Sequence, residues 1–162
     1  MAIIKVSTSV FSLIKTVERA IQKANQGDMI LVAAGKYKES LTIEKDVSIS
    51  AKIAEHVLIE GIIIVPKTKK LVLENITLHP TSQIFVEGSL QLNNCVINGS
   101  LSNVLLSLNG GNVVAEKCKF TGATDVAVVL LNKSQATFND CYFENNEKSH
   151  LLIEDSTIEL FK

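Results

Sequence analysis

A cysteine returns every 23 residues, at Cys95, Cys118 and Cys141. Each lies inside a similar phrase: LQLNNCVI from Leu90, VVAEKCKF from Val113 and ATFNDCYF from Ala136. LVLENITL from Leu71 is a fourth copy, with Ile76 in the cysteine's place. The second apolar residue of each phrase falls at Leu73, Leu92, Ala115 and Phe138, and Ile49 and Leu160 extend the series both ways. The spacings are 24, 19, 23, 23 and 22 residues. That period is one coil of a solenoid, in which each repeat rests only on its neighbours. An antiparallel sandwich also spaces its strands regularly, but gives no reason for a cysteine to recur at constant register.

Stacking sets the expected columns. Residues one coil apart lie about 4.8 Å from each other along a parallel sheet. Ile76, Cys95, Cys118 and Cys141 are therefore expected to form one inward column, with Leu78, Ile97, Phe120 and Phe143 beside it. Extra strands are predicted at Gln83–Val86, Val104–Leu108, Val126–Leu131 and Leu151–Ile153, giving two or three strands per coil. Gly, Asn and Ser punctuate them, as strand boundaries require. A helix is predicted over about 9–26. Its apolar positions Val10, Phe11, Ile14, Val17, Ile21 and Ala24 follow one helical face. Ser9 or Ser12 is its expected N-cap and Gly27 its left-handed terminator. This helix can cover the interior and strand edges of the first coil.

Composition narrows the function classes. The chain has 162 residues, 46% hydrophobic, with 16 basic and 17 acidic side chains and no tryptophan. A near-neutral balance without a basic face points away from nucleic acid. No apolar run is long enough to span a bilayer, and no secretory leader pattern opens the sequence. Three cysteines without such a leader predict reduced thiols and a cytoplasmic location.

Residues 17–49 read VERAIQKANQGDMILVAAGKYKESLTIEKDVSI. This segment resembles the opening of pectin lyase-like right-handed β-helix proteins, where a helix ending AI..A..GD leads into I.V..G.Y.E...I.K...I. The matching positions are Ala20, Ile21, Ala24, Gly27, Asp28, Ile30, Val32, Gly35, Tyr37, Glu39, Ile43, Lys45 and Ile49. NNCVINGS, EKCKFTGA and NDCYFENN resemble the later coils of that family. The expected fold is therefore an all-β solenoid, a single right-handed parallel β-helix of about six coils over 28–162. With its capping helix it makes one domain over 1–162, alone or as the N-terminal part of a longer protein. The matched residues also have local roles. Gly35 suits a positive-φ turn, Asp28 a turn after the helix, and Tyr37 a buried ring with a bonded hydroxyl. Glu39 is expected to pair with Lys36 or Lys38.

The resemblance also implies chemistry to look for. Pectinesterase-like sites need two aspartates with an arginine and a tryptophan, but Arg19 is the only arginine here and tryptophan is absent. The aspartate cluster of polygalacturonases is missing. Pectate lyase-like chemistry would bring calcium, which wants about six to eight converging oxygens. The outward column Glu74, Asn93, Glu116 and Asn139, beside Asn75, Asn94, Lys117 and Asp140, alternates acids with amides. It reads as a solvated polar face, with calcium the weaker alternative cofactor and no metal site assigned. If the chain is an enzyme on an acidic polysaccharide, Lys117, Glu116 and Asp140 are the candidate catalytic residues. His56, His79 and His150 share no spacing and have no partnered nucleophile. The cysteine line is the wrong shape for zinc, and the turn Pro66–Lys70 reads as a solvated basic turn.

The leading expectation is a non-catalytic scaffold or protein-interaction module. The last coil, LLIEDSTIELFK, carries no helix or Pro/Gly cap, which leaves strand edges that proteins normally cover. Self-association or a protein partner is expected there, through Leu151, Leu152, Ile153, Ile158, Leu160 and Phe161, or else the chain continues. Tyr142 should point outward as a contact residue. Carbohydrate is the weaker partner, because aromatic platforms are scarce.

Overall fold

A computed structural model describes residues 1–52, 56–99 and 102–162. The chain opens with strand β1 (Ile3–Val6) and helix α1 (Val17–Lys23). The first coil is β2 (Met29–Val32), β3 (Gly35–Lys38) and β4 (Leu41–Thr42). The second is β5 (Val47–Ser50) and the long β6 (Val57–Val65), and the third is β7 (Lys70–Glu74) and the long β8 (Thr77–Val86). Then come β9 (Ser89–Asn93), β10 (Val96–Asn98) and β11 (Val104–Asn109). The fifth coil is β12 (Asn112–Glu116), β13 (Lys119–Thr121) and β14 (Val126–Leu131). The sixth is β15 (Gln135–Asn139), β16 (Tyr142–Glu144) and β17 (Ser149–Ile153), and β18 (Thr157–Phe161) begins a seventh turn.

Every strand pairing is parallel, and the result is a β-solenoid of about seven turns. One eight-stranded sheet runs in the order β1-β2-β5-β7-β9-β12-β15-β18. A second sheet has two lanes. β6 and β8 span both lanes as single strands, while later coils divide them into β10 and β11, β13 and β14, β16 and β17.

The columns fall where the repeat places them. Ile49, Leu73, Leu92, Ala115, Phe138 and Leu160 are stacked in register, and Ile30 and Ile4 continue the line toward the N-terminus. Leu78, Ile97, Phe120 and Phe143 form a second column, which reaches back through Ile59 to Tyr37. These columns are the core: their members are buried between the terminal coils, down to 0% exposure at Phe120, while Ile4, Phe143 and Leu160 at the ends are not. The ring of Phe120 lies 5.0 Å from Phe143, stacked, and 5.5 Å from Phe138, edge-on.

Between the sheets the chain bends at Asn75, Asn94, Lys117 and Asp140. All four have positive φ, between +50 and +58°. Asparagine and aspartate tolerate this conformation best. The amides also join the coils, since Asn94 Nδ2 donates to Asn75 Oδ1 at 2.8 Å and Asn75 Nδ2 to the Ala51 carbonyl at 2.9 Å.

The capping helix differs from its predicted extent. It spans Val17–Lys23 rather than about 9–26, and its N-cap is Thr16 rather than Ser9 or Ser12. Residues 7–16 form turns because their hydroxyls bond the nearby backbone. Ser7 Oγ accepts from Ser9 N–H at 3.2 Å, and Ser12 Oγ donates to the Ile14 carbonyl at 2.8 Å. Such local bonds compete with helix formation. Val10 and Phe11 therefore leave the apolar stripe, and Phe11 is 93% exposed. Val17, Ala20, Ile21 and Ala24 remain and close the first coil.

A seven-residue helix is marginal by itself. Here both ends are held by the first coil. The Glu39 carboxylate accepts from Val17 N–H at 2.9 Å and Glu18 N–H at 2.7 Å, so its expected pairing with Lys36 or Lys38 gives way to a helix clamp. Lys45 Nζ donates to the Gln22 and Ala24 carbonyls at 2.9 and 2.7 Å. Negative charge at the N-terminus and positive charge at the C-terminus both suit the helix dipole. Asp28 accepts from Ala2 and Asn25 N–H groups at 2.6 and 2.9 Å, and these bonds, in that order, hold its carboxyl below the usual range. Tyr37 is buried with its hydroxyl donating to Ala33 at 2.8 Å. Gly35 adopts φ +155° and Gly27 φ +80°. The motif residues of the opening segment thus serve to lock the cap.

Candidate functional site

Alternation decides what each coil shows to solvent. Outside the eight-stranded sheet, Ser50, Glu74, Asn93, Glu116, Asn139 and Phe161 form one column. Glu116 Oε1 and Lys117 Nζ are 3.6 Å apart and both are exposed. Lys117 and Asp140 are bend residues on neighbouring coils, where Lys117 N–H donates to the Asn139 carbonyl at 2.9 Å. Exposed ion pairs of this kind are worth about 0–1 kcal/mol. Among the described residues no three His, Cys, Asp or Glu side chains are grouped to hold a metal ion.

The second sheet carries a polar cluster that the sequence reading missed. Lys38, Glu60 and His79 sit in register on three successive coils. Glu60 lies 2.6 Å from Lys36 Nζ, 3.7 Å from Lys38 Nζ and 3.8 Å from His79 Nδ1. The Lys36 bond, ahead of the charges of Lys36, Lys38 and His79, outweighs partial burial and lowers the Glu60 pKa. The only signal in the sequence is the one-coil spacing of Lys38, Glu60 and His79, because the neighbouring residues form no motif. His56 and His150 lie elsewhere, and His150 Nδ1 is 3.1 Å from Asn146 Nδ2.

The three thiols stack inward and are free. Each Sγ hydrogen-bonds a backbone carbonyl two residues earlier in the chain, at 3.2–3.3 Å. At Cys118 the bond with Cys141 lowers the pKa, but the bond with Cys95 and burial outweigh it, raising the value to about 12. The bond with Cys118, then burial, pushes Cys141 up as well. Thiols raised in this way are poor nucleophiles.

The basic turn faces an open groove of about 420 Å³, lined by Lys69, Lys70, Gly88, Gly111 and Lys133. Backbone donors around it are already used: Gly88 N–H bonds the Val65 carbonyl, and Gly110 N–H bonds the Leu131 carbonyl and Ser134 Oγ. Those two amides are not free to cradle an anion, and the groove offers the charge of its lysines.

The last coil is different in kind. β16, β17 and β18 are the terminal strands of their sheets. Four inward columns arrive here and stop at Leu151, Ile153, Ile158 and Leu160. Leu160 is 59% exposed, although its column mate Phe138 is 1% exposed. Leu152 and Phe161 belong to outward columns, so they flank this surface rather than form it. Tyr142 also points outward and is 69% exposed. The rim carries Glu154, Asp155 and Glu159, all exposed.

No helix among the described residues is long and apolar enough to cross a membrane. No curated protein and no solved structure matches the chain. Residues 45–161 match the family described as the right-handed beta helix region, in agreement with the parallel coils and the 23-residue columns. The chain belongs to the right-handed β-helix family.

Proposed function

We propose that this β-helix is a non-catalytic scaffold that associates with protein, itself included, through its last coil. One observation carries the reading: core-facing Leu151, Ile153, Ile158 and Leu160 lie on the terminal strands of their sheets, with Ile153 43% and Leu160 59% exposed. Exposed contiguous apolar surface marks interaction sites, and an unpaired parallel edge adds directional hydrogen bonds. The resemblance to polysaccharide-active β-helix proteins stays at the level of fold, and fold alone does not carry function. Three stacked thiols, none in a disulfide, suit a reducing compartment such as the cytoplasm.

The test is light scattering coupled to size exclusion on the chain and on Leu160→Glu. A concentration-dependent mass that Leu160→Glu abolishes, with the circular dichroism spectrum kept, supports the reading. A monomer at the highest concentration, with no change from the substitution, overturns self-association.

A further inference from the structure

The two ends of the solenoid fit each other. We infer that the last coil docks on the N-terminal end of a second copy, with β18 adding in parallel to β1. This rests on the proposed role of the last coil and names its partner. The first support is strand polarity. β1 and β18 are the two outer strands of the same parallel sheet, so a second copy presents β1 to β18 in the correct direction without inversion.

Hydrogen-bond phase is the second. Ala2 and Val6 carbonyls accept from Met29 and Ala33 N–H groups, each at 2.9 Å. In a parallel ladder alternate residues bond opposite neighbours, so Ile3 and Lys5 turn their backbone groups to the free edge. On β18, Thr157 N–H donates to Ser134 at 2.9 Å and the Phe161 carbonyl accepts from Asp140 at 3.1 Å. Ile158 and Leu160 therefore face its free edge. Extending the column that already runs from Ile4 to Leu160 sets Leu160 opposite Ile4 of the next copy. Leu160 N–H and carbonyl then meet Ile3 and Lys5, which are the groups left free.

Charge and apolar surface agree with this docking. The N-terminal end exposes Lys5, Lys15, Arg19 and Lys23 against the exposed carboxylate of Glu18, while the Asp28 carboxylate is occupied by backbone donors. The last coil exposes Glu154, Asp155 and Glu159 against Lys162. Ile3, Val10, Phe11 and Leu13 are exposed beside the first set, as Ile153 and Leu160 are beside the second. Complementary charge fixes register and partner choice. A two-fold contact between two last coils would instead set the acidic rims against each other. A head-to-tail contact of this kind is heterologous and does not close on itself, so it builds open chains.

Two variants of the full chain test it. The head variant carries Lys5→Glu and Arg19→Glu, and the tail variant Glu154→Lys and Glu159→Lys. Light scattering should show the parent growing with concentration and losing mass with added salt. Each variant alone should be a monomer. An equal mixture should grow into chains again, because the intact tail of one meets the intact head of the other and the two reversed ends are complementary. The variant with all four reversals should again form chains. If the tail variant is monomeric while the head variant still dimerises, the contact is tail-to-tail: head-to-tail docking fails and the last coil remains an interaction surface. A monomeric parent sinks both readings. Should a reversal fail to fold by circular dichroism, Lys5→Gln and Glu159→Gln replace it: each alone should lose mass, and their equal mixture should stop at a dimer, because only one intact head and one intact tail remain.

Discussion

The first and last coils of this solenoid are finished by different physics. At the N-terminal end a short helix is pinned by charges from the coil beneath it, Glu39 at one terminus and Lys45 at the other. Asp28 and Tyr37 tie down the flanking backbone. At the other end no comparable clamp occurs among the described residues. Order there comes from packing, where Phe120, Phe138 and Phe143 form a three-ring cluster. Polar bonds hold the helix over the interior of the first coil, while β1 beside it keeps a free edge. An aromatic cluster packs the coils below but leaves the final layer half-exposed.

The contrast can be broken from either side. Removing the aromatic cluster should have the largest effect. Phe120→Ala leaves a cavity under the last coils and should cost about 3–5 kcal/mol in denaturant unfolding. A loss under about 1 kcal/mol would show that the coils collapse around the missing ring and that the cluster does not order the last coils. Unpinning the cap should cost less: Glu39→Ala removes a carboxylate from two helix N–H groups, for which capping losses of about 0.5–2 kcal/mol are usual. Hydrogen exchange should then rise in α1 and β1 and not in β15 or β18.

Acid should act on the closed end through Asp28. Its folded pKa is depressed, so its contribution is present above the unfolded value of about 3.9 and is lost as pH falls through the folded pKa. Asp28→Asn should lower the melting temperature at pH 7 and flatten its fall below about pH 4. An unchanged acid limb would remove Asp28 from the account. The smallest effect concerns the thiols. Cys141, only partly buried, should be labelled by a disulfide reagent before Cys95 and Cys118, which are buried. Simultaneous labelling of all three would mean that the last coils open together with the middle ones.

The repeat made the core legible. A side chain that must stack on its equivalent one coil away leaves a period in the sequence, and Cys95, Cys118 and Cys141 display it. The inward columns follow from that period alone. The helix start was not legible, because the apolar spacing of Val10 and Phe11 mimics a helical face. Serine hydroxyls at 7, 9 and 12 decide that segment locally instead. The clamp was hidden for another reason: Glu39 is 22 residues from Val17, and only the folded coil brings them together. Lys36, Lys38, Glu60 and His79 escaped notice in the same way. At the last coil, the sequence reading grouped Leu151, Leu152, Ile153, Ile158, Leu160 and Phe161 without separating two sides. Period-two alternation within β17 and β18 separates core-facing Leu151, Ile153, Ile158 and Leu160 from outward Leu152 and Phe161.

The central claim is that the last strand edge pairs with another layer, and amide hydrogen exchange measured across protein concentration tests it most directly. Ile158 and Leu160 amides, with Lys5 at the other end, should become protected as concentration rises, while amides of β9 and β12 stay constant. If Ile158 and Leu160 exchange freely at the highest concentration, the edge is unpaired in solution and the account is wrong.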